Sequence, residues 1–138
     1  MSAKRSFGGA KILLHHQGAL LTYLRDDKPD IPFPALWDLP GGGAENDETP
    51  IDCALRETFE EFALRIAPSR VTWQRAYENP DNPALPNWFF AAPLKAPEIE
   101  QIKFGDEGQH WQMMPIERYL NHPKAIPHLQ ARVRDALA

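Results

Sequence analysis

The sequence predicts an α/β protein in which helices cover both faces of a mixed β-sheet. Segments with the composition of strands recur along the chain, and two substantial helical segments interrupt and follow them. The 138 residues contain 14 prolines and 8 glycines, which separate these segments without forming a repeat or a low-complexity tract. We therefore expect one domain over residues 1–138, long enough to bury a real core.

The first half of the chain supplies three predicted strands. Residues 10–15 and 19–24 have strand character, and a proline-rich loop follows over residues 26–35. Residues 36–39 then form a short strand that leads into a glycine turn.

The longer helix is expected to begin at Thr49, a good N-cap, with Pro50 at the first helical position. At about 100° per residue, Glu57, Glu60 and Glu61 share a sector roughly 100° wide. We expect the other side to face the core; it carries Ile51, Leu55, Thr58, Phe59, Phe62 and Ile66. Because like charges at this spacing repel, a hard cation such as Mg²⁺ or Mn²⁺ would stabilise the acidic side. A solvated acidic face is the competing interpretation of these three residues alone.

The second half of the chain returns to strands and ends in a helix. We expect strands at residues 71–78, 87–93 and 109–114, a short turn or helix at 115–120, and a last helix at 127–137. The first two of these strands are joined by the turn-rich segment Asn79-Pro80-Asp81-Asn82-Pro83. Trp88, Phe89 and Phe90 alternate along a strand, so most of them are expected in the core.

The wider segment around the acidic helix resembles the Nudix box of the Nudix hydrolase family, G-x5-E-x7-R-E-U-x-E-E-x-G-U, where U is a bulky aliphatic residue. The residues that match in register are Gly42, Glu48, Arg56, Glu57, Glu60, Glu61 and Leu64. The preceding Trp-Asp-Leu-Pro-Gly-Gly, residues 37–42, is similar to the strand and turn before the box. The resemblance implies the α/β/α Nudix fold over nearly the whole chain, and a Mg²⁺- or Mn²⁺-dependent nucleotide pyrophosphohydrolase.

Two residues depart from the family's pattern. Thr58 replaces an aliphatic residue, and its hydroxyl is expected to bond the carbonyl one turn back. Ala63 replaces a glycine that would permit a left-handed helix end, which costs about 1 kcal/mol for a residue with a Cβ. The alternative is a helix that runs on through Arg65 and stops before Pro68.

The resemblance also implies roles for the box residues. Glu60 and Glu61 would be direct metal ligands together with the carbonyl of Gly41, and Glu57 would be either a ligand or the general base. Arg56 would hold the box carboxylates in place by pairing with acids such as Glu48, rather than contact substrate phosphate. Gly42 and Glu48 would support this arrangement.

Three residues outside the core of the box are further candidates. Glu107, in Asp106-Glu107-Gly108-Gln109, resembles an extra metal-binding glutamate of MutT-type members, and a surface acid in a turn is the alternative. Arg25 stands where relatives often contact a phosphate, and a guanidinium suits that task; a surface arginine is the alternative. Glu45 is a weaker candidate.

Composition excludes several classes. A net charge of −4 with scattered basic residues argues against a bulk nucleic-acid surface, while a nucleotide held through metal remains compatible. The single cysteine, Cys53, excludes an internal disulfide and lacks an evident base for nucleophilic catalysis, and the five histidines lack zinc-like spacing. No membrane-length apolar run is present, so we expect a cytoplasmic protein, and relatives suggest a possible homodimer.

The substrate is only partly indicated. A nucleoside triphosphate or modified nucleotide is the first expectation, because the chain is short and the Glu107 segment is MutT-like. ADP-ribose or a nucleotide sugar is the alternative, since Pro80 lies about where ADP-ribose pyrophosphatases often have proline. The C-terminal segment at residues 124–128 lacks a clear asparagine for reading oxidised guanine, so that activity is not predicted. A non-catalytic nucleotide-sensing module is a third alternative, although such proteins usually lose box acids.

Overall fold

The computed structural model describes residues 5–138 as one sheet of seven strands with four α-helices packed around it. The strands are β1 Gly9–His16, β2 Ala19–Leu24, β3 Trp37–Asp38, β4 Gly41–Gly43, β5 Trp73–Tyr77, β6 Asn87–Pro93 and β7 His110–Pro115. The helices are α1 Pro50–Phe62, α2 Ala96–Glu100, α3 Ile116–Leu120 and α4 Pro127–Leu137. Within these residues no helix is long and apolar enough to cross a membrane.

The sheet is mixed, as predicted. β1 is parallel to β6, and every other pairing is antiparallel. β1 and β2 pair with each other only at two positions next to their hairpin, His15 with Leu20 and His16 with Ala19. Further along, β1 pairs with β4 and β2 pairs with β3. The two strands therefore diverge, and the segment from β3 to β4 fills the space between them.

Two clusters of buried side chains cover the two faces of the sheet. The cluster under α1 includes Ile12, Leu14, Leu21, Phe62 and Phe90, and the cluster under α4 includes Leu13, Leu20, Phe89, Leu129 and Val133. Alternate residues of β1 and β6 thus face opposite layers, as strand geometry requires. This confirms the predicted α/β/α sandwich and the burial of Phe89 and Phe90.

Helix α1 begins after its N-cap Thr49, as predicted, and ends at Phe62, before Arg65. The Thr49 hydroxyl accepts a hydrogen bond from the amide of Asp52 at 3.3 Å. Ala63 adopts φ 58° and ψ 29°, and its N–H donates to the carbonyl of Phe59 at 2.8 Å. The alternative of a helix that runs on through Arg65 is therefore wrong, because the left-handed Ala63 turns the chain so that Leu64 enters the core.

The face of α1 that packs against the sheet differs from the predicted one. Cys53 and Glu61 are buried, while Phe59, assigned to the core side, is 41 % exposed beneath the guanidinium of Arg65. The Thr58 hydroxyl donates to the carbonyl of Ala54 at 2.7 Å, which confirms the partner one turn back. The acidic side of the helix therefore borders the core instead of opposing it.

β4, α2 and a single 3₁₀ turn at Pro68–Arg70 were not predicted. β4 consists of three glycines with no strand propensity, and it forms a strand because its backbone pairs with β1. α2 has only five residues, too short to show a helical period. The predicted strands at 19–24 and 87–93 match the observed bounds, and the other predicted strands differ from the observed ones by one or two residues at their ends.

Candidate active site

Arg56 lies at the centre of the acidic residues of α1. Its Nε and Nη2 donate to the two oxygens of Glu48 at 3.0 and 2.9 Å, and Nη1 donates to Glu57 at 2.9 Å and to Glu60 at 3.1 Å. Nη2 also reaches the carbonyl of Gly43 at 3.1 Å, which ties the helix to β4. The hydrogen bonds from Arg56 hold the pKa of Glu48 below its usual value, so that carboxylate stays charged.

Glu61 is the buried acid of the helix. One of its oxygens accepts a hydrogen bond from the amide of Gly41 at 3.0 Å, across from α1 to β4. Burial raises the pKa of Glu61 to about 8, against the opposing charge of Lys11 and the bond from the Gly41 amide. A carboxylate in such an environment is stabilised by any cation that comes within reach.

Glu57 can lie against β4 because Gly42 has no side chain. A Cβ at Gly42 would stand 2.7 Å from the carboxylate of Glu57. Burial raises the pKa of Glu57, although its bond to Arg56 acts in the opposite direction. Gly41 is equally constrained, since its φ is 129° and a Cβ there would meet the carbonyl oxygen of Ala10 at 2.1 Å.

An acidic cavity of about 370 Å³ opens beside these residues. It is lined by Glu45, Glu57, Glu60, Glu61, Gly105, Asp106 and Glu107. The loop that carries Glu107 is docked on the end of α1, because the amides of Lys103 and Gly105 donate to the carbonyls of Phe62 and Glu61 at 3.0 and 2.9 Å. The structure thus brings Glu107 to the same cavity as the box glutamates.

The donors of this cavity are suited to a hard divalent cation. Six carboxylates line it, no cationic side chain does, and oxygen ligands are those that Mg²⁺ and Mn²⁺ prefer. Within residues 5–138, however, no three Asp, Glu, His or Cys side chains stand close enough together to hold an ion as they are placed. In this arrangement Glu57 and Glu60 are both bonded to Nη1 of Arg56.

A second ion cluster lies around Asp38, which is 1 % exposed. Its carboxylate accepts hydrogen bonds from Lys11 at 3.1 Å, from the Tyr23 hydroxyl at 3.0 Å and from Arg25 at 2.9 Å. Burial alone would raise the pKa of Asp38, but Lys11, the amide of Leu39 and Arg25 together hold it below its usual value. Asp38 is therefore charged and its cluster carries net positive charge.

Lys11 connects this cluster to the acidic site. Its Nζ also donates to the carbonyls of Leu39 and Gly41, at 3.1 and 3.0 Å. The Gly41 carbonyl expected to bind metal is thus already in contact with an ammonium group, although a carbonyl has a second lone pair to offer. Lys11 fixes the turn from β3 to β4 from one side while Glu61 holds it from the other.

Arg25 and Cys53 have structural partners. Arg25 uses Nη1 for Asp38 and Nε for the carbonyl of Pro32 at 2.9 Å, so two of its three nitrogens are engaged. The thiol of Cys53 is buried, it faces the carbonyls of Gly42 and Gly43 at 3.5 Å, and burial raises its pKa to about 12. A thiol with that pKa is not a nucleophile at neutral pH.

A sequence model of the NUDIX domain matches residues 5–136. The chain belongs to the Nudix family. The match covers the helix, the acidic cavity and the Asp38 cluster alike, so both ion clusters lie within the Nudix domain.

Solved structures of other Nudix proteins share the fold. A MutT protein from Methanosarcina mazei Go1 aligns with a TM-score of 0.73 at 19% identity, over 97% of this chain and 95% of that one. A C. elegans Ap4A hydrolase aligns with a TM-score of 0.70 at 18% identity, over 92% and 93%. A Francisella tularensis NMN adenylyltransferase/ADP ribose pyrophosphatase, complexed with AMP and a manganese ion, aligns with a TM-score of 0.72 at 20% identity, over 96% of this chain and 41% of that longer one.

The family match and these hydrolase neighbours support a Nudix-type pyrophosphohydrolase, and Nudix hydrolases generally use a divalent metal. At identities below one quarter, the neighbours themselves show a shared fold and leave the substrate open.

Sequence reasoning missed three charged residues near the site. Lys11 is a lone cation inside an apolar strand, and Asp38 is an acid in the short strand before the glycines, so both were visible as charges within otherwise apolar segments. Arg132, in α4, carried no comparable signal, since arginines are common on terminal helices. All three owe their position to contacts between distant segments.

Proposed function

We propose that this Nudix protein uses Mg²⁺ to hydrolyse a phosphoanhydride bond in a nucleoside diphosphate derivative. A nucleoside triphosphate or modified nucleotide is the first candidate substrate. The observation that carries the proposal is the acidic cavity, which six carboxylates line without a cationic side chain and in which Glu61 is buried. Such a concentration of negative charge repels a polyphosphate unless a cation is bound there too.

Each residue of the site has its own proposed role. Glu60, Glu61, Glu107 and the carbonyl of Gly41 would hold the cation, and Glu57 would either join them or take the proton from the attacking water. A bound divalent cation supplies neutralisation of the phosphate oxygens and activation of that water.

Arg56 acts through the carboxylates that it holds, because its guanidinium is already bonded to Glu48, Glu57 and Glu60. Gly42 and Glu48 support the same geometry. Among residues 5–138 the Nη2 of Arg25 makes no recorded hydrogen bond, which leaves it for a substrate phosphate.

ADP-ribose or a nucleotide sugar is the second candidate. Pro80 stands in the turn between Asn79 and Asp81, and both neighbours line a second cavity that adjoins Gly42. The named activities of two structural neighbours, ADP-ribose pyrophosphatase and Ap4A hydrolase, make both compounds worth testing beside the triphosphates. A homodimer and a cytoplasmic setting stay predictions.

The proposal is tested with the purified protein and a panel of nucleoside triphosphates, ADP-ribose, a nucleotide sugar and Ap4A, each with Mg²⁺ and with Mn²⁺. Metal-dependent cleavage that is lost in Glu60→Gln supports the proposal, measured as phosphate or pyrophosphate release from the triphosphates and as nucleotide formation from ADP-ribose, the nucleotide sugar and Ap4A. Glu117→Gln, an exposed acid of α3, is the matched control and should turn over normally. Turnover of ADP-ribose but of no nucleoside triphosphate would make ADP-ribose the first candidate substrate. Tight nucleotide binding with no turnover of any substrate would contradict the proposed hydrolase activity and favour a nucleotide-sensing module.

A further inference from the structure

A second cavity, which we call the α4 cleft, lies where the starts of β1 and β6 meet β4 and α4. Its volume is about 440 Å³, within the range of sites that hold small organic ligands. The residues of its lining that matter here are Gly42, Asn87, Trp88, His128 and Arg132.

Arg132 is the unusual member of this lining. Arg132 is only 8 % exposed, and its guanidinium lies 4.6 Å from the centre of the Tyr77 ring. Among residues 5–138 it has no recorded hydrogen bond and no ion pair. By contrast Arg25, Arg56 and Arg70 all bond a carboxylate.

The acid nearest along α4 does not serve as its partner. Asp135 accepts a hydrogen bond from the Tyr77 hydroxyl at 2.7 Å and pairs with Arg75 at 3.5 Å. Within residues 5–138 no completely buried side-chain nitrogen lacks a partner, so the Arg132 nitrogens open to solvent in the cleft, and the aromatic ring contributes only about 1 to 2 kcal/mol. The guanidinium thus presents up to five unused N–H donors to the α4 cleft.

Gly42 separates the cleft from Glu57, a glutamate of the acidic cavity. Gly42 lines the α4 cleft, and a Cβ on the same residue would touch the carboxylate of Glu57. A substrate with its phosphates at the glutamates can therefore extend past Gly42 into the cleft.

The other groups around Arg132 leave its charge uncompensated. Lys11 also lines the cleft but is paired with Asp38. Burial lowers the pKa of His128, and the neighbouring charge of Arg132 lowers it further, so the imidazole is neutral at pH 7. Asp81 is the acid of the lining, and within residues 5–138 no hydrogen bond or ion pair joins it to Arg132.

We propose that Arg132 is a specificity-determining residue, and that its guanidinium donates two N–H groups to a pair of acceptor atoms on the part of the substrate that lies beyond the diphosphate. The inference rests on the proposed function for the identity of the site. The acceptor pair is either the carbonyl edge of a base such as guanine, which arginine recognises in bidentate fashion, or the oxygens of a distal phosphate.

Binding is measured first without metal or turnover, by NMR titration of the protein with guanosine, adenosine and inorganic pyrophosphate. The variants are Arg132→Gln and Arg132→Lys, and Arg134→Gln is the matched control because Arg134 is exposed and its Nη2 donates to the carbonyl of Leu120. Loss of about tenfold in guanosine affinity in both Arg132 variants, with adenosine unaffected, identifies a base edge. Loss of pyrophosphate affinity in Arg132→Gln, with partial retention in Arg132→Lys, identifies a phosphate.

Turnover gives the second readout. If Arg132 contacts the base, the ratio of kcat/KM for GTP to kcat/KM for ATP should fall about tenfold in Arg132→Gln, mainly because KM for GTP rises. A loss of packing would instead lower kcat/KM equally for both substrates. Unchanged probe affinities and an unchanged ratio in both Arg132 variants would overturn the inference while leaving the hydrolase intact. Arg132-dependent binding of guanosine or pyrophosphate without turnover of any substrate would support the role of Arg132 and contradict the proposed hydrolase activity.

Discussion

Two ion clusters near the β3–β4 segment have opposite arrangements. In one, Arg56 is a single cation surrounded by carboxylates from α1 and the loop before it. In the other, Asp38 is a single anion surrounded by Lys11, Arg25 and the hydroxyl of Tyr23. The first has excess negative charge and borders a cavity. The second is buried and has excess positive charge, so the first can take up a cation while the second holds the backbone between them.

The clusters also differ in how far apart their members lie in the sequence. Arg56 bonds residues one, four and eight positions away, whereas the partners of Asp38 lie 13, 15 and 27 positions away. A helix with its adjoining loop assembles the first cluster, and the second exists only when three strands have paired. The first should therefore serve mainly function, and the second mainly stability.

The largest expected effect comes from removing the anion of the buried cluster. Asp38→Asn leaves Lys11 and Arg25, whose side chains are 21% and 20% exposed, facing each other without a counter-charge. We expect the free energy of unfolding to fall by about 3 kcal/mol, toward the lower end for a broken buried pair since the cations keep some solvent. Urea denaturation checks this, with Asp27→Asn in an exposed loop as the control. A loss below about 1 kcal/mol would show that the cluster does not stabilise the fold.

The next effect comes from weakening the other cluster. Arg56→Lys keeps the charge but cannot bond Glu48 through two nitrogens and reach Glu57 and Glu60 as well. We expect Mg²⁺ affinity to fall about 10- to 100-fold, with a smaller loss of stability than in Asp38→Asn. Mg²⁺ titration followed by calorimetry measures this, with Arg65→Lys as the control. Wild-type affinity in Arg56→Lys would mean that the arginine does not set the positions of the carboxylates.

The same difference explains what could be predicted from the sequence. The start of α1, the strands β1, β2 and β6, and the set Glu57, Glu60 and Glu61 follow from local periodicity and capping residues. The contact of Lys11 with the Gly41 carbonyl could not be predicted, because it depends on the divergence of β1 from β2. β4 was missed for the same reason, since three glycines become a strand only through pairing.

The end of α1 shows a further limit of local reasoning. Propensity disfavours a left-handed alanine, so Ala63 was compatible with a helix that continues. The burial of Leu64 and Ile66 and the docking of the loop at residues 103–105 on the last carbonyls of α1 favour the turn instead. Tertiary contacts therefore outweighed a local cost of about 1 kcal/mol.

A smaller effect distinguishes the clusters by their response to pH. Burial raises the pKa of Glu61 to about 8 from its usual 4.5. Between those values the folded metal-free protein retains a proton that the unfolded chain releases, so its stability should fall as the pH rises. From pH 6 to 7.5 we expect a loss of roughly 1 to 2 kcal/mol, measured by urea denaturation in the presence of a chelator.

Glu61→Gln is the control for this pH dependence. The variant cannot release the proton, so its stability should change less than that of the wild type over the same range. Mg²⁺ should also restore wild-type stability at pH 7.5, since a cation favours the charged form of Glu61. Equal pH slopes in the variant and the wild type would show that Glu61 does not titrate in this window.

The smallest expected effect separates the geometry of the acidic site from its charge. Gly42→Ala places a methyl group 2.7 Å from the carboxylate of Glu57, while Gly43→Ala meets nothing within 4 Å. The carboxylate is the free end of a flexible side chain, so it can move aside, and stability should change by less than about 1 kcal/mol in both variants. The kcat of Gly42→Ala should fall about tenfold because Glu57 is displaced from the position that the reaction uses, while Gly43→Ala should retain activity. Equal kcat values in the two variants would mean that Glu57 works without its close approach to β4, and that the charge of the acidic cluster matters more than the position of this one acid.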